Sequence, residues 1–237
     1  MELVGLVISA LGLIVGVLLS QPVIDCVRRR SWAKKKAAEF DMNDRWVKEI
    51  DSKEQAFELW DQTIRVDAEG NAVHAVDIRV VNIGRSHIDH LSFPVYCEAA
   101  TVLPAELAAW ARTGRKDLSV TPTPWDVEQA KGRIRIDLSP PMAPRERRRV
   151  KWGYSLPNTF RSGEDYYEWY VRYPHYDLKG RIIFDVSWKI LSARWSSEMA
   201  SDYDAPVVKG SEIVWRVVFP EVGSCLRMEL SLDLPQR

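Results

Sequence analysis

The sequence predicts an all-β soluble domain, an antiparallel β-sandwich, carried behind one N-terminal transmembrane helix. Three observations predict it. An uncharged apolar run opens the chain and is followed at once by a burst of cations. From about residue 55 apolar residues recur at every second position, the period of a half-buried strand. Short turn-forming clusters interrupt that pattern along the remaining length. The chain of 237 residues thus divides into an anchor (1–27), a basic collar with a helical connector (28–54) and a sandwich domain (55–237) long enough to bury a real core.

The anchor runs from Leu3 to Leu19 without a charge, with Ser9 as its one hydroxyl. At ~1.5 Å per residue this is ~26 Å of helix, and continuing to Ile24 gives spanning length. A cleaved secretion signal carries its cations before the apolar run and a small-residue cleavage site after it. Here Arg28, Arg29, Arg30, Lys34, Lys35 and Lys36 follow the run, and only Glu2 and the amino terminus precede it. Cationic flanks stay on the cytoplasmic side, so the N-terminus is expected outside and the sandwich in the cytoplasm. Gly5, Ser9, Gly12, Gly16 and Ser20 fall within an arc of about 80° on that helix. Such a stripe lets two helix backbones approach closely, which predicts a homo-oligomer through the anchor.

The collar and connector come next. Residues 1–40 hold six cations and three acids, so the remainder, in a chain of zero net charge, is mildly acidic. That balance speaks against a double-stranded nucleic acid as partner. The collar itself suits attraction to anionic lipid of the bilayer. Trp32, Ala33, Phe40, Trp46, Val47 and Ile50 share one helical arc, read as a stalk packed on the domain or an interfacial helix with Trp32 at headgroup depth. The three cysteines, Cys26, Cys97 and Cys225, are too sparse for a disulfide framework and agree with a reducing compartment. Cys26, at the edge of the anchor, is an inert thiol or an S-acylation site.

The strands follow in order. "HAVDIRVVN" aligns Val76, Ile78 and Val80; "RIRIDL" aligns Ile134, Ile136 and Leu138; "RRVKWGYS" aligns Val150, Trp152 and Tyr154. "YYEWYVRY" aligns Tyr167, Trp169, Val171 and Tyr173. "RIIFDVSWKI" aligns Ile182, Phe184, Val186, Trp188 and Ile190. "EIVWRVVF" aligns Ile213, Trp215, Val217 and Phe219, and "CLRMELSLDL" aligns Leu226, Met228, Leu230, Leu232 and Leu234. Further strands are expected near 56–66 and 91–98. "LPAELAAWARTG", 103–114, reads as the one helix of the domain. The loop "PPMAP" feeding a strand with an inward Trp resembles an immunoglobulin-like domain, over roughly residues 55–234 and without the Cys-Trp-Cys signature. The resemblance implies a binding scaffold and transfers no site.

Of the ten tryptophans, those on inward strand faces are core, while Trp125 and Trp195 are loop candidates for touching a partner. "HIDH" spaces His87 and His90 like ligands but lacks a third and fourth, and reads as a polar turn. No GxSxG, P-loop, GxGxxG or HExxH motif appears, so no catalytic residue, cofactor or metal is assigned. One constellation stands out. If strands 132–138 and 146–155 form a hairpin, Arg133, Arg135, Arg147, Arg149 and Lys151 share one outward face, offset only by Asp137. Either an acidic protein or other anionic ligand covers that face, or acids on the next strand balance it. The expected function is a membrane-tethered binding, scaffolding or sensing module. Its rivals are a membrane effector that clusters on ligand binding and an enzyme with a dispersed site.

Overall fold

The computed structural model describes residues 55–96, 107–123, 131–160, 163–196 and 203–233. The anchor, its small-residue stripe, the cationic collar, Cys26, Cys97, Trp125 and Leu234 lie outside the described residues. No helix among the described residues is long and apolar enough to cross a membrane.

Three sheets make the fold, nearly all antiparallel. The largest has eight strands in the order β12 (Val207–Lys209), β13 (Glu212–Val218), β10 (Asp177–Phe184), β1 (Gln55–Val66), β2 (Ala72–Asn82), β8 (Arg147–Leu156), β4 (Trp110–Thr113) and β5 (Lys116–Leu118). Its one parallel pair is β1 with β10. A three-stranded sheet follows the order β3 (Ile88–Tyr96), β7 (Lys131–Met142), β6 (Val120–Pro122). A second follows β11 (Lys189–Trp195), β14 (Cys225–Asp233), β9 (Glu164–Tyr170). This is sandwich-like: both small sheets pack on the same face of the large one. Its strand order, with eight strands in one sheet and a parallel pair at the centre, departs from the two-sheet immunoglobulin arrangement.

Alternation builds the core. Val76, Ile78 and Val80 of β2, Val150 and Trp152 of β8, and Ile213, Trp215 and Val217 of β13 are all buried. So are Ile134, Ile136 and Leu138 of β7, and Leu226, Met228, Leu230 and Leu232 of β14. Aromatic rings join the layers. Phe93 of β3 stacks on Trp152 with centroids 4.5 Å apart, and Trp169 of β9 meets Trp60 of β1 edge-on at 4.5 Å. Ring pairs of this kind add about 0.5–1.5 kcal/mol to the burial of the rings themselves.

Two expectations about elements are corrected. Residues 110–113 form strand β4 rather than the end of a helix. Ala111 is buried opposite Trp152, and the chain then turns back at Gly114, whose φ of 58° suits glycine, into β5. Pairing with β8 overrides the helical propensity of an Ala-rich segment. Residues 181–190 are not one strand: β10 ends at Phe184, and Val186 sits at a turn tip, 90% exposed. Trp188 is buried all the same, because the turn folds it back and its indole N–H donates to the Asp67 carbonyl at 2.9 Å.

Candidate functional site on the open face of the large sheet

The two small sheets cover one face of the eight-stranded sheet, and alternation sends the intervening side chains to the other. Backbone register sets them in rows across the strands. One row runs Asp117, Arg112, Lys151, Asp77, Asp61, Lys179, Arg216. On one side of it Arg149 stands opposite Arg79. On the other side Trp110, Gly153, Ala75 and Thr63 follow one another, and beyond them Ser155, Val73 and Arg65.

Among the described residues six acids lie on this face: Asp117 stands opposite Arg112 in the β4–β5 register, and the other five are ion-paired. Asp77 accepts a two-pronged hydrogen bond from Arg149, 2.7 Å to its Nε, and lies 3.5 Å from the Lys151 ammonium. Arg147 donates to Glu58 at 2.7 Å, and Arg216 to Asp177 at 2.8 Å. Lys179 pairs with Asp61 at 3.3 Å, and Arg181 with Glu212 at 3.6 Å. Burial pushes the Asp77 carboxyl up, but the Arg149 hydrogen bond and the charges of Arg149 and Lys151 outweigh it and hold the carboxyl below its usual range. Arg65, Arg79 and Arg112 are exposed and form no ion pair among the described residues. The face is therefore net positive.

The sequence reading joined five cations on a hairpin of β7 and β8. These strands lie in different sheets, so the hairpin is corrected. Arg147, Arg149 and Lys151 do share the open face. Arg133 and Arg135 sit on the far side of the sandwich, since Ile134 and Ile136 between them point to the core. Arg135 is paired with Asp137 at 2.7 Å. β2 takes the place beside β8, and its Asp77 is the balancing acid. Sequence reasoning missed Arg65, Arg79 and Arg112, the cations outside the ion pairs. Arg79 was visible in "HAVDIRVVN" as an outward residue; Arg112 was hidden by the helical reading of its segment.

Trp110 also belongs to this face. It is 40% exposed and lies over Gly153, where a Cβ would come within 2.9 Å of its ring. The Arg112 guanidinium stands 5.5 Å from the ring centroid. Trp195, expected in a loop, is buried at the end of β11 with its indole N–H donating to the Asp204 carbonyl.

Two other places hold polar groups. Inside the core, the Tyr167 hydroxyl donates to Gln62 Oε1 at 2.9 Å, and the Gln62 amide nitrogen reaches His74 Nδ1 at 3.0 Å. An amide nitrogen only donates, so His74 accepts at Nδ1 and carries its proton on Nε2. This chain of bonds joins β9 to β1 and β2. Burial lowers the His74 pKa to about 3 and the His175 pKa to about 4. On the outer side of the β11–β14–β9 sheet, a shallow cleft of about 260 Å³ contains Arg194, Arg227, Glu229 and Ser231. Glu164 and Asp165 also line it, and both of its cations are paired, Arg194 with Glu229 at 3.0 Å and Arg227 with Glu168 at 3.4 Å. His90 Nδ1 lies 2.6 Å from the Asp89 carboxylate, and no group of three metal-ligating side chains occurs among the described residues. Burial, with Glu168 nearby, pushes the Cys225 thiol up, away from the reactive thiolate.

No protein-family model matches the chain, and no curated protein does. Among solved structures it is similar to the M1 zinc metallopeptidase of Deinococcus radiodurans, at 12% identity and a TM-score of 0.46 over 76% of this chain and 43% of that one. It is similar to yeast LTA4 hydrolase in complex with bestatin at 7% identity and a TM-score of 0.47, over 74% of this chain and 28% of that one. A nutrient-binding protein of Legionella pneumophila, so described provisionally, gives 11% identity and a TM-score of 0.46, over 75% and 66%. The chain thus spans less than half the length of the metallopeptidases it matches, and these likenesses assign it no activity.

Proposed function

We propose that the chain is a single-pass, membrane-tethered cytoplasmic β-sandwich that works as a binding module, with the open face of the eight-stranded sheet as its contact surface. The order of apolar run and cations supports the tether and its orientation. The observation that carries the binding reading is the charge of that face: five of its six acids are already engaged, the sixth, Asp117, stands opposite Arg112, and Arg65 and Arg79 remain exposed without a countercharge. Cations held at fixed sheet spacing repel one another, and an anionic partner relieves that repulsion. The cleft on the β11–β14–β9 sheet has both of its cations paired and no excess of positive charge.

The test is site-specific crosslinking of the full chain in membranes. A photoreactive side chain at Thr63, in the middle of the open face, is expected to give adducts that fade as salt rises, because exposed charges are screened. The same group at Ser92, on the β3–β7–β6 sheet, is the control. Adducts from Ser92 alone, or adducts at Thr63 indifferent to salt, would move the contact surface elsewhere.

A further inference from the structure

The open face is not uniform, and its unevenness points to one kind of partner. At the β4–β8–β2 end, Trp110, Ala75 and Val73 are exposed at one side. Arg112, Lys151, Arg149, Arg79 and Arg147 succeed them along the strands. Asp77 and Glu58 are ion-paired within this group, and Asp117 of β5 stands opposite Arg112. The corner, about 10 Å wide across β4, β8 and β2 at ordinary strand spacing, therefore grades along the strands from apolar to cationic. Gly153 deepens the contrast. Glycine weakens a strand interior, yet here a side chain would collide with both the Trp110 ring and the His74 carbonyl. Its absence seats an amphipathic ring, half in water, beside guanidinium groups.

We propose that this corner lies against the anionic headgroup surface of a bilayer, with Trp110 at headgroup depth and the arginines on lipid phosphates and carboxylates. The proposal deepens the binding-module reading and rests on the tether described with it. Two features favour a lipid surface over an acidic protein. The corner exposes Trp and aliphatic groups beside cations, the pairing that suits the boundary of hydrocarbon and headgroups. Its charge is modest, and each cation near an anionic surface contributes only about a fivefold preference. That is too little to recruit a free protein, and enough to orient one whose anchor already holds it at the membrane.

The experiment uses the full chain reconstituted in vesicles, with the native cysteines replaced and one fluorophore placed at Ala75 on the corner or at Ser92 on the opposite small sheet. Headgroup-labelled quencher lipid reports proximity. In vesicles with about a third anionic lipid, Ala75 quenching is expected to exceed that in neutral vesicles several-fold, and Ser92 quenching to stay low in both. Arg79→Glu with Arg112→Glu, which leaves the Asp77 and Glu58 pairs intact, is expected to abolish the difference, as is high salt. Trp110→Ala is expected to reduce it while thermal unfolding stays cooperative. Equal Ala75 quenching in neutral and anionic vesicles overturns the lipid assignment. If polyglutamate then protects Ala75 in a salt-dependent way, the binding-module reading stands with an acidic protein as partner. If it does not, both readings fall.

Discussion

Trp188 shows how a residue's environment can be legible while its reason is not. Alternation placed it inward beside Val186 and Ile190; it is inward, but through a turn that leaves Val186 exposed. Removing its ring opens a cavity and frees the Asp67 carbonyl, so Trp188→Ala is expected to cost ~3–5 kcal/mol in urea unfolding of the detergent-solubilised chain. An unchanged midpoint would contradict the burial. His74 and His175 make a second residue-scale prediction. Both are held neutral, with pKa values near 3 and 4 against about 6.5 when exposed. Below pH ~6.5 the unfolded chain binds protons that the folded one refuses, so stability is full above that pH and falls as acid is added. The slope is about 1.4 kcal/mol per pH unit for each histidine. Unfolding free energy is expected to drop between about pH 6 and pH 5, and to drop half as steeply in His74→Gln. A flat profile there would mean the histidines are hydrated. Nothing in the sequence marked either as buried, because a neutral histidine on an apolar face follows the same alternation as an aliphatic residue.

Elements were legible where period and pairing agree. β2, β7, β8, β13 and β14 alternate cleanly because one face of each meets the core, and those faces follow from the apolar positions alone. β4 was hidden because its four residues are too few to show a period, and its Ala and Leu neighbours favour helix locally. Which strands are neighbours was not legible either, since β7 and β8 are joined by a short loop yet part into different sheets. The core bond chain that ties the β11–β14–β9 sheet to the large one makes a prediction. Tyr167→Phe keeps the ring but leaves the buried Gln62 carbonyl without its donor. It is expected to cost about 1–3 kcal/mol, measured by denaturant unfolding, and Gln62→Leu in the same chain to recover part of it. Additive losses would show that the two residues do not act together. For the anchor, Gly12→Ile with Gly16→Ile is expected to abolish crosslinked oligomers formed through the membrane helix, since bulky side chains keep backbones apart. Equal crosslinking would leave the small-residue stripe without a role.

At the scale of the whole molecule, the sandwich-like architecture and the open basic face stand on the described residues, whereas the tether is carried by residue order alone. Both halves of the proposed function depend on it: a weakly charged corner can act at a membrane only when something else holds the domain there. The most direct measurement is therefore the topology of the intact chain. A reporter fused after Arg237, assayed in cells together with carbonate washing of their membranes, is expected to be active on the cytoplasmic side and to stay with the membrane fraction. Release by carbonate, or reporter activity on the outer side, would contradict the account.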